Sequence, residues 1–207
     1  MKTLVPLLLL TISIHVLVAQ NAEPVESINK GTKFIGGSFS FSTTKIEDSY
    51  QSTNASIGPV IGFYIKDDLA LGGVLSYSTN TTEYLDTNSS TSFSGIGLSA
   101  FLLRNYRIGN NLFFTLQPQA SFSFSKQKYS SIPTTNDYSN FGLGVGISPG
   151  VLFFINRKFA LQTSLGSLGY SFTRSKQETI NEPTDTHSFG LYGALSMSTF
   201  SIRYFIW

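Results

Sequence analysis

The sequence predicts an all-β fold, a closed antiparallel up-and-down transmembrane β-barrel of about eight strands. Three observations carry that expectation. Apolar residues recur at every second position along most of the chain; in NFGLGVGISPGVLFFINRKFALQ (140–162), Phe141, Leu143, Val145, Ile147, Pro149 and Val151 share one parity. Gly142, Gly144, Gly146, Ser148 and Gly150 fill the other parity, which carries almost none of the Lys and Glu that a water-facing strand normally shows. Tight turns and long polar stretches alternate between the apolar runs.

Taken in order, residues 1–19 (MKTLVPLLLLTISIHVLVA) join a lone Lys2 to an apolar stretch that Ala19 closes. That is the layout of a secretory signal peptide, too short and wrongly flanked for a spanning helix. Gln20 then begins the mature chain, and residues 20–31 (QNAEPVESINKG) form a short polar leader. Residues 32–207 make one domain, a size that all-β barrels often keep undivided.

Within that domain one apolar parity runs through Ile35, Phe39 and Phe41, then Ile57, Ile61 and Phe63, then Leu71, Leu75 and Tyr77. It continues through Ile96, Leu98 and Leu102, then Leu112, Phe114, Leu116, Phe122 and Phe124, then the segment quoted above. Phe159, Leu161 and Leu165, and finally Leu191, Leu195 and Met197, complete it. Lys66-Asp67-Asp68, Arg107 to Asn111 and Asn156-Arg157-Lys158 read as tight hairpin turns. Between the hairpins, residues 45–54, 80–91, 126–139 and 173–186 read as long polar loops. Because antiparallel strands gather turns of one kind at one end, the barrel has a short-turn end, holding both termini, and a long-loop end.

IGPVIGFYIKDDLAL (57–71) and ISPGVLFFINRKFAL (147–161) repeat Ile, Pro, an aromatic pair, Ile, a turn and Ala-Leu in step. Two copies do not make a solenoid. They predict that both hairpins solve the same local problem. Pro59, Pro118 and Pro149 fall inside strands and lack the N–H that a closed ladder uses, so interruptions are expected there.

Composition decides which face meets water. The charged fraction is 13%, about half that of a usual soluble domain. The apolar parity carries no charge except Arg104, near the turn at 107–111. A cation costs about 2–4 kcal/mol at mid-bilayer and about 0–1 at the interface, so that face suits lipid. A β structure in lipid must close on itself to pair its backbone. The Gly/Ser/Gln parity then points inward, where Tyr64, Phe101, Leu152 and Phe154 are placed to plug a narrow lumen. Tyr77, Tyr106, Tyr170 and Phe172, near strand ends, suit an aromatic girdle.

The alternating strands, the short turns at one end, the long stretches at the other and the terminal FSIRYFIW resemble the small porin-like outer-membrane β-barrel domain family, eight-stranded and of OmpA/OmpX-type architecture. The resemblance implies a Gram-negative cell outer membrane as location and periplasmic short turns. It also implies recognition of the C-terminal strand by the barrel-assembly machinery. Trp207 matches the family's terminal aromatic, but Phe200, Ile202, Tyr204 and Ile206 lie one residue out of phase with it and with Leu191, Leu195 and Met197. A bulge near Ser198-Thr199 would reconcile the last strand.

Function is legible at the level of class. Removing residues 1–19 takes away Lys2 and no acid, leaving 13 basic residues against 12 acidic, a net charge of +1 that gives no support to nucleic-acid binding. With no Cys there is no thiolate metal site. Asp185 and His187 in TDTH suggest an incomplete outer-membrane protease pair, and His187-Ser188 a lipid A deacylase pair, but neighbours along a strand point to opposite faces. No catalytic, cofactor-binding or metal residue is therefore assigned and no cofactor is expected; the chain reads as a non-enzyme. Two functions remain: a structural or surface-interaction barrel that meets lipid and, through 45–54, 80–91, 126–139 and 173–186, an extracellular partner; or a narrow porin-like channel lined by Ser and Gln. The first is favoured because eight strands leave little lumen.

Overall fold

The computed structural model describes residues 24–46, 49–87, 89–131, 134–177, 183–193 and 200–207. The signal segment 1–19, Leu195, Met197 and Ser198-Thr199 lie outside the described residues. The strands are β1 (Lys33–Ile46), β2 (Tyr50–Lys66), β3 (Leu69–Tyr84), β4 (Ser89–Gly109), β5 (Leu112–Ser131), β6 (Thr134–Phe154), β7 (Phe159–Ser164), β8 (Gly166–Gln177), β9 (Pro183–Gly193) and β10 (Phe200–Ile206). All pairings are antiparallel. Neighbours in sequence pair from β1 to β6, β6 pairs with both β7 and β8, β8 pairs with β9, and β7 pairs with β10. β7 with β8, and β9 with β10, each form one wall, which makes a ring of eight. The ring closes where Lys33 to Gly37 of β1 meet Ile206 to Ile202 of β10.

The faces fall as the alternation requires. Ile61, Leu75, Leu98, Val145 and Ile202 point out and are exposed, with Phe39 at 72% and Leu191 at 78%. Tyr64, Phe101, Leu152 and Phe154 all point in and are 2% exposed or less. Arg104 stands at the short-turn end, where Nη1 donates to the Asp67 carbonyl at 3.1 Å and the guanidinium lies 5.6 Å from the Tyr106 ring.

The two echoing hairpins place equivalent residues alike. Tyr64 and Phe154 fill the interior, and Ala70 and Ala160 are fully buried beside them. Both prolines also sit at breaks in pairing. Around Pro59 the β2–β3 ladder passes from Ile57↔Tyr77 to Val60↔Val74 in unchanged register, leaving Gly58 and Pro59 unpaired on that side. Pro118 leaves the same gap between Phe101↔Gln119 and Arg104↔Leu116. At Pro149 the register itself moves by one residue, from Ile147↔Leu168 to Gly150↔Ser164, and Leu165 N–H donates to the Pro149 carbonyl.

That bulge explains the phase of the last strand. Above it Leu168, Tyr170 and Leu191 face out; below it Phe159, Leu161, Ile202 and Tyr204 face out. Parity flips in both walls at one height, so neighbouring strands keep a common face. The outward residues are odd-numbered in β9 and even-numbered in β10.

The stretches 45–54, 80–91, 126–139 and 173–186 differ from expectation, being mostly strand rather than loop. Pairing continues through Lys45↔Gln51, Glu83↔Ser90, Lys128↔Asp137 and Arg174↔Asp185. Only 47–49, 85–88, 132–133 and 178–182 fall between strand ends. Ser, Thr and Tyr suit a pleated backbone whether or not they are apolar, and the apolar period disappears once both faces meet water. β4 and β6 are each 21 residues long, against about 9–11 for a bilayer crossing. The outer part of the ring therefore rises as a polar wall above the lipid-facing band.

Candidate functional site

The lumen has a filled base and, above it, cavities with polar linings. At the short-turn end Phe34, Tyr64, Phe113, Phe154 and Phe205 are all nearly inaccessible and meet in edge and tilted contacts, Phe154 to Phe205 at 4.7 Å and Phe34 to Phe205 at 5.6 Å. Small residues on adjacent strands make the room. A Cβ on Gly62 would stand 2.3 Å from the Phe34 ring, and one on Gly72 would stand 2.4 Å from the Phe101 ring. Sequence parity found Tyr64, Phe101, Leu152 and Phe154; it missed Phe34, Phe113 and Phe205, which share the inward parity at strand ends.

The leader, expected to be merely polar, completes this base. Val25 and Ile28 are buried in it, at 4% and 0%. Each is held by a turn residue with positive φ, Asp68 at 57° and Asn111 at 61°, in the left-handed region that Asp and Asn tolerate. Asp68 accepts from Ile28 N–H at 2.9 Å and from the Ser27 hydroxyl at 3.1 Å, while its own N–H donates to the Ile28 carbonyl. Asn111 Oδ1 accepts from Val25 N–H at 2.7 Å. Asp67 accepts from Lys30 N–H, and Arg107 lies 3.8 Å from Glu26. The only signal in the sequence was Val25 and Ile28 standing three apart among polar residues. Trp207 closes the same end, its ring 6.2 Å from Phe205 and its indole N–H donating to the Arg157 carbonyl.

Above the base the inner wall turns polar. A cavity of about 250 Å³ is lined by Ser38, Gln117, Gln119, Gln162, Ser201 and Arg203, among others. Gln162 donates to Gln117, and Gln117 to Gln119, at 3.4 and 3.2 Å. A second cavity of about 180 Å³ shares Gln119 and Ser148 with it and continues past Ser121, Gly144 and Ser188. Higher still, Tyr50 and Tyr84, and Tyr129 and Tyr138, form aromatic pairs across strands at 6.5 and 5.5 Å.

The residues weighed for catalysis lie apart from this lumen. Asp185 and His187 project outward from β9, and Ser188 projects inward to the second cavity, so His187 and Ser188 do not meet. Asp185 forms two hydrogen bonds with Arg174, both at 2.7 Å, in the polar wall beyond Phe172 and Phe189. The hydrogen bond from that guanidinium holds the Asp185 carboxyl below the usual carboxylate range. His187 pairs with the Tyr170 hydroxyl. These contacts are those of a polar surface ladder.

A closed ring with an apolar outer band, a filled base and polar walls on one side defines a transmembrane β-barrel. The chain matches the family model described as outer membrane protein beta-barrel domain over residues 19–166, and it belongs to that family. In structure it is similar to a major outer membrane protein from Thermus thermophilus, at 12% identity and a TM-score of 0.47, with 84% of this chain and 99% of that one covered. It is also similar to Neisserial surface protein A (NspA), at 14% identity and a TM-score of 0.39, covering 87% and 99%. The transport unit of the autotransporter AIDA-I from Escherichia coli aligns at 11% identity and a TM-score of 0.34, covering 93% and 94%. Comparison with curated proteins returns no match.

Proposed function

We propose that this outer-membrane barrel is a structural and surface-interaction element that works through its outer wall, and not an open channel or an enzyme. The observation that carries the reading is the solid base: Phe34, Tyr64, Phe113, Phe154 and Phe205, with Val25 and Ile28 of the leader, occupy the short-turn mouth at 5% exposure or less. Continuous water along the axis is what a pore requires, and a base filled by these side chains supports the closed reading. Contacts with an extracellular partner then fall to the rising strands, including 45–54, 80–91, 126–139 and 173–186. Their Tyr, Thr, Ser and Asn side chains offer hydrogen bonds and ring faces on a rigid ladder.

Export by residues 1–19 and reading of β10 by the barrel-assembly machinery belong to the same proposal. Intact-mass measurement of membrane-purified protein should place the first residue at or near Gln20. In planar bilayers the folded protein should give no stable unit conductance. Steps that shift on Gln117→Arg or Gln119→Arg would replace this reading with the channel one, which the polar cavities of the upper lumen favour.

A further inference from the structure

The least explained group in the molecule is Arg203. It lies on β10, between Ser201 and Phe205 on the inner parity, and is 3% exposed. Its Nε and Nη1 are buried without a hydrogen-bond partner. The guanidinium stands 4.5 Å from the Phe34 ring and 6.0 Å from the Phe101 ring, so the plug supplies two π faces. Ring faces attract a cation but do not replace its hydration shell, and a buried charge without a counter-ion is costly.

The cavity that Arg203 lines carries Gln and Ser side chains and, among the described residues, no carboxylate. The cavity therefore presents one positive charge, several neutral donors and room for about eight waters' volume. From the short-turn side the aromatic base blocks it; toward the outer end it adjoins the second cavity through Gln119 and Ser148. A planar guanidinium with amide and hydroxyl donors around it matches a carboxylate group better than a bulky polyanion, whose further charges would find no cation.

We propose that this cavity is a binding site for a small monocarboxylate that enters from the outer mouth, with Arg203 as counter-ion and Gln117, Gln119 and Gln162 as hydrogen-bonding partners. The site lies inside the ring and stands independently of any partner of the outer wall. It also gives the protein a reason to keep a cation in a cavity whose other lining residues, among those described, are neutral.

The test uses the full mature barrel folded in detergent, titrated calorimetrically with acetate and with benzoate at constant ionic strength, and with acetamide and benzamide as neutral controls. Saturable binding of a carboxylate but not of its amide is expected. Arg203→Met, which keeps apolar contact with Phe34 and Phe101, should weaken it at least tenfold. Ser148→Leu, which narrows the cavity and leaves Arg203 in place, should do the same and carries the test if the Met variant does not fold. Absence of saturable heat with the wild-type protein overturns the proposal. So does binding that survives both substitutions, or equal competition by chloride or phosphate, which would make the cavity a site for any small anion.

Discussion

Replacing Asp68 separates the two things that this residue does for the short-turn mouth. Its carboxylate holds the leader through Ile28 N–H at 2.9 Å and the Ser27 hydroxyl at 3.1 Å, and its backbone sits at φ 57°. A hydrogen bond contributes about 0.5–1.5 kcal/mol net, and in this half-buried setting the two together contribute about 1.5–2 kcal/mol. An ordinary L-residue at positive φ costs about 1–2 kcal/mol more, a cost that Gly does not bear. Asp68→Gly should therefore release the leader by about 1.5–2 kcal/mol, and Asp68→Ala by about 1 kcal/mol beyond that. The assay is amide hydrogen exchange on the folded barrel. In Asp68→Gly the Ile28 amide should exchange about tenfold to thirtyfold faster, at 1.4 kcal/mol per decade, while amides in the β4–β5 ladder keep their protection. Unchanged exchange at Ile28, or a Gly variant as damaging as the Ala variant, would refute the latch.

Other consequences are equally direct. Gly72→Ala drives a methyl into the Phe101 ring and should destabilise the barrel by about 1–3 kcal/mol, whereas Gly73→Ala, on the lipid face with its nearest contact at 3.4 Å, should change little; urea unfolding in liposomes compares them. Leu98→Arg should cost about 2–4 kcal/mol by the same measurement, and Ser94→Arg, on the same parity above the apolar band, less than about 1. Tyr64→Phe removes the acceptor of the buried Asn105 amide, a 2.7 Å bond, and should cost about 1–3 kcal/mol. Because hydrogen bonding to Arg174 lowers the Asp185 pKa, their contact is fully formed above the ordinary carboxylate range and is lost only as pH falls through the lowered value. An NMR titration should find the Asp185 midpoint below that of an unpaired Asp.

The sequence by itself determined the class and the faces. Period two along a chain whose apolar parity carries almost no charge leaves lipid as the one solvent that fits that exposed face. It also placed Tyr64, Phe101, Leu152 and Phe154 inside, and its misphased FSIRYFIW already implied a flip near the end of the last strand. Strand length was hidden. Outside the bilayer both faces of a strand meet water, so Ser, Thr, Asn and Tyr carry no period, and pairs such as Lys128↔Asp137 exist only because the ladder beneath them is in register. The tertiary structure alone decided three further things: that the leader folds back onto Asp68 and Asn111, that the parity flip needs Leu165 beside Pro149 as well as the last strand, and that Arg203 stands among Phe34, Phe101 and three glutamines. The last depends on closure, which brings residue 203 opposite residues 36 and 160 through strand pairing rather than through any local pattern in the chain.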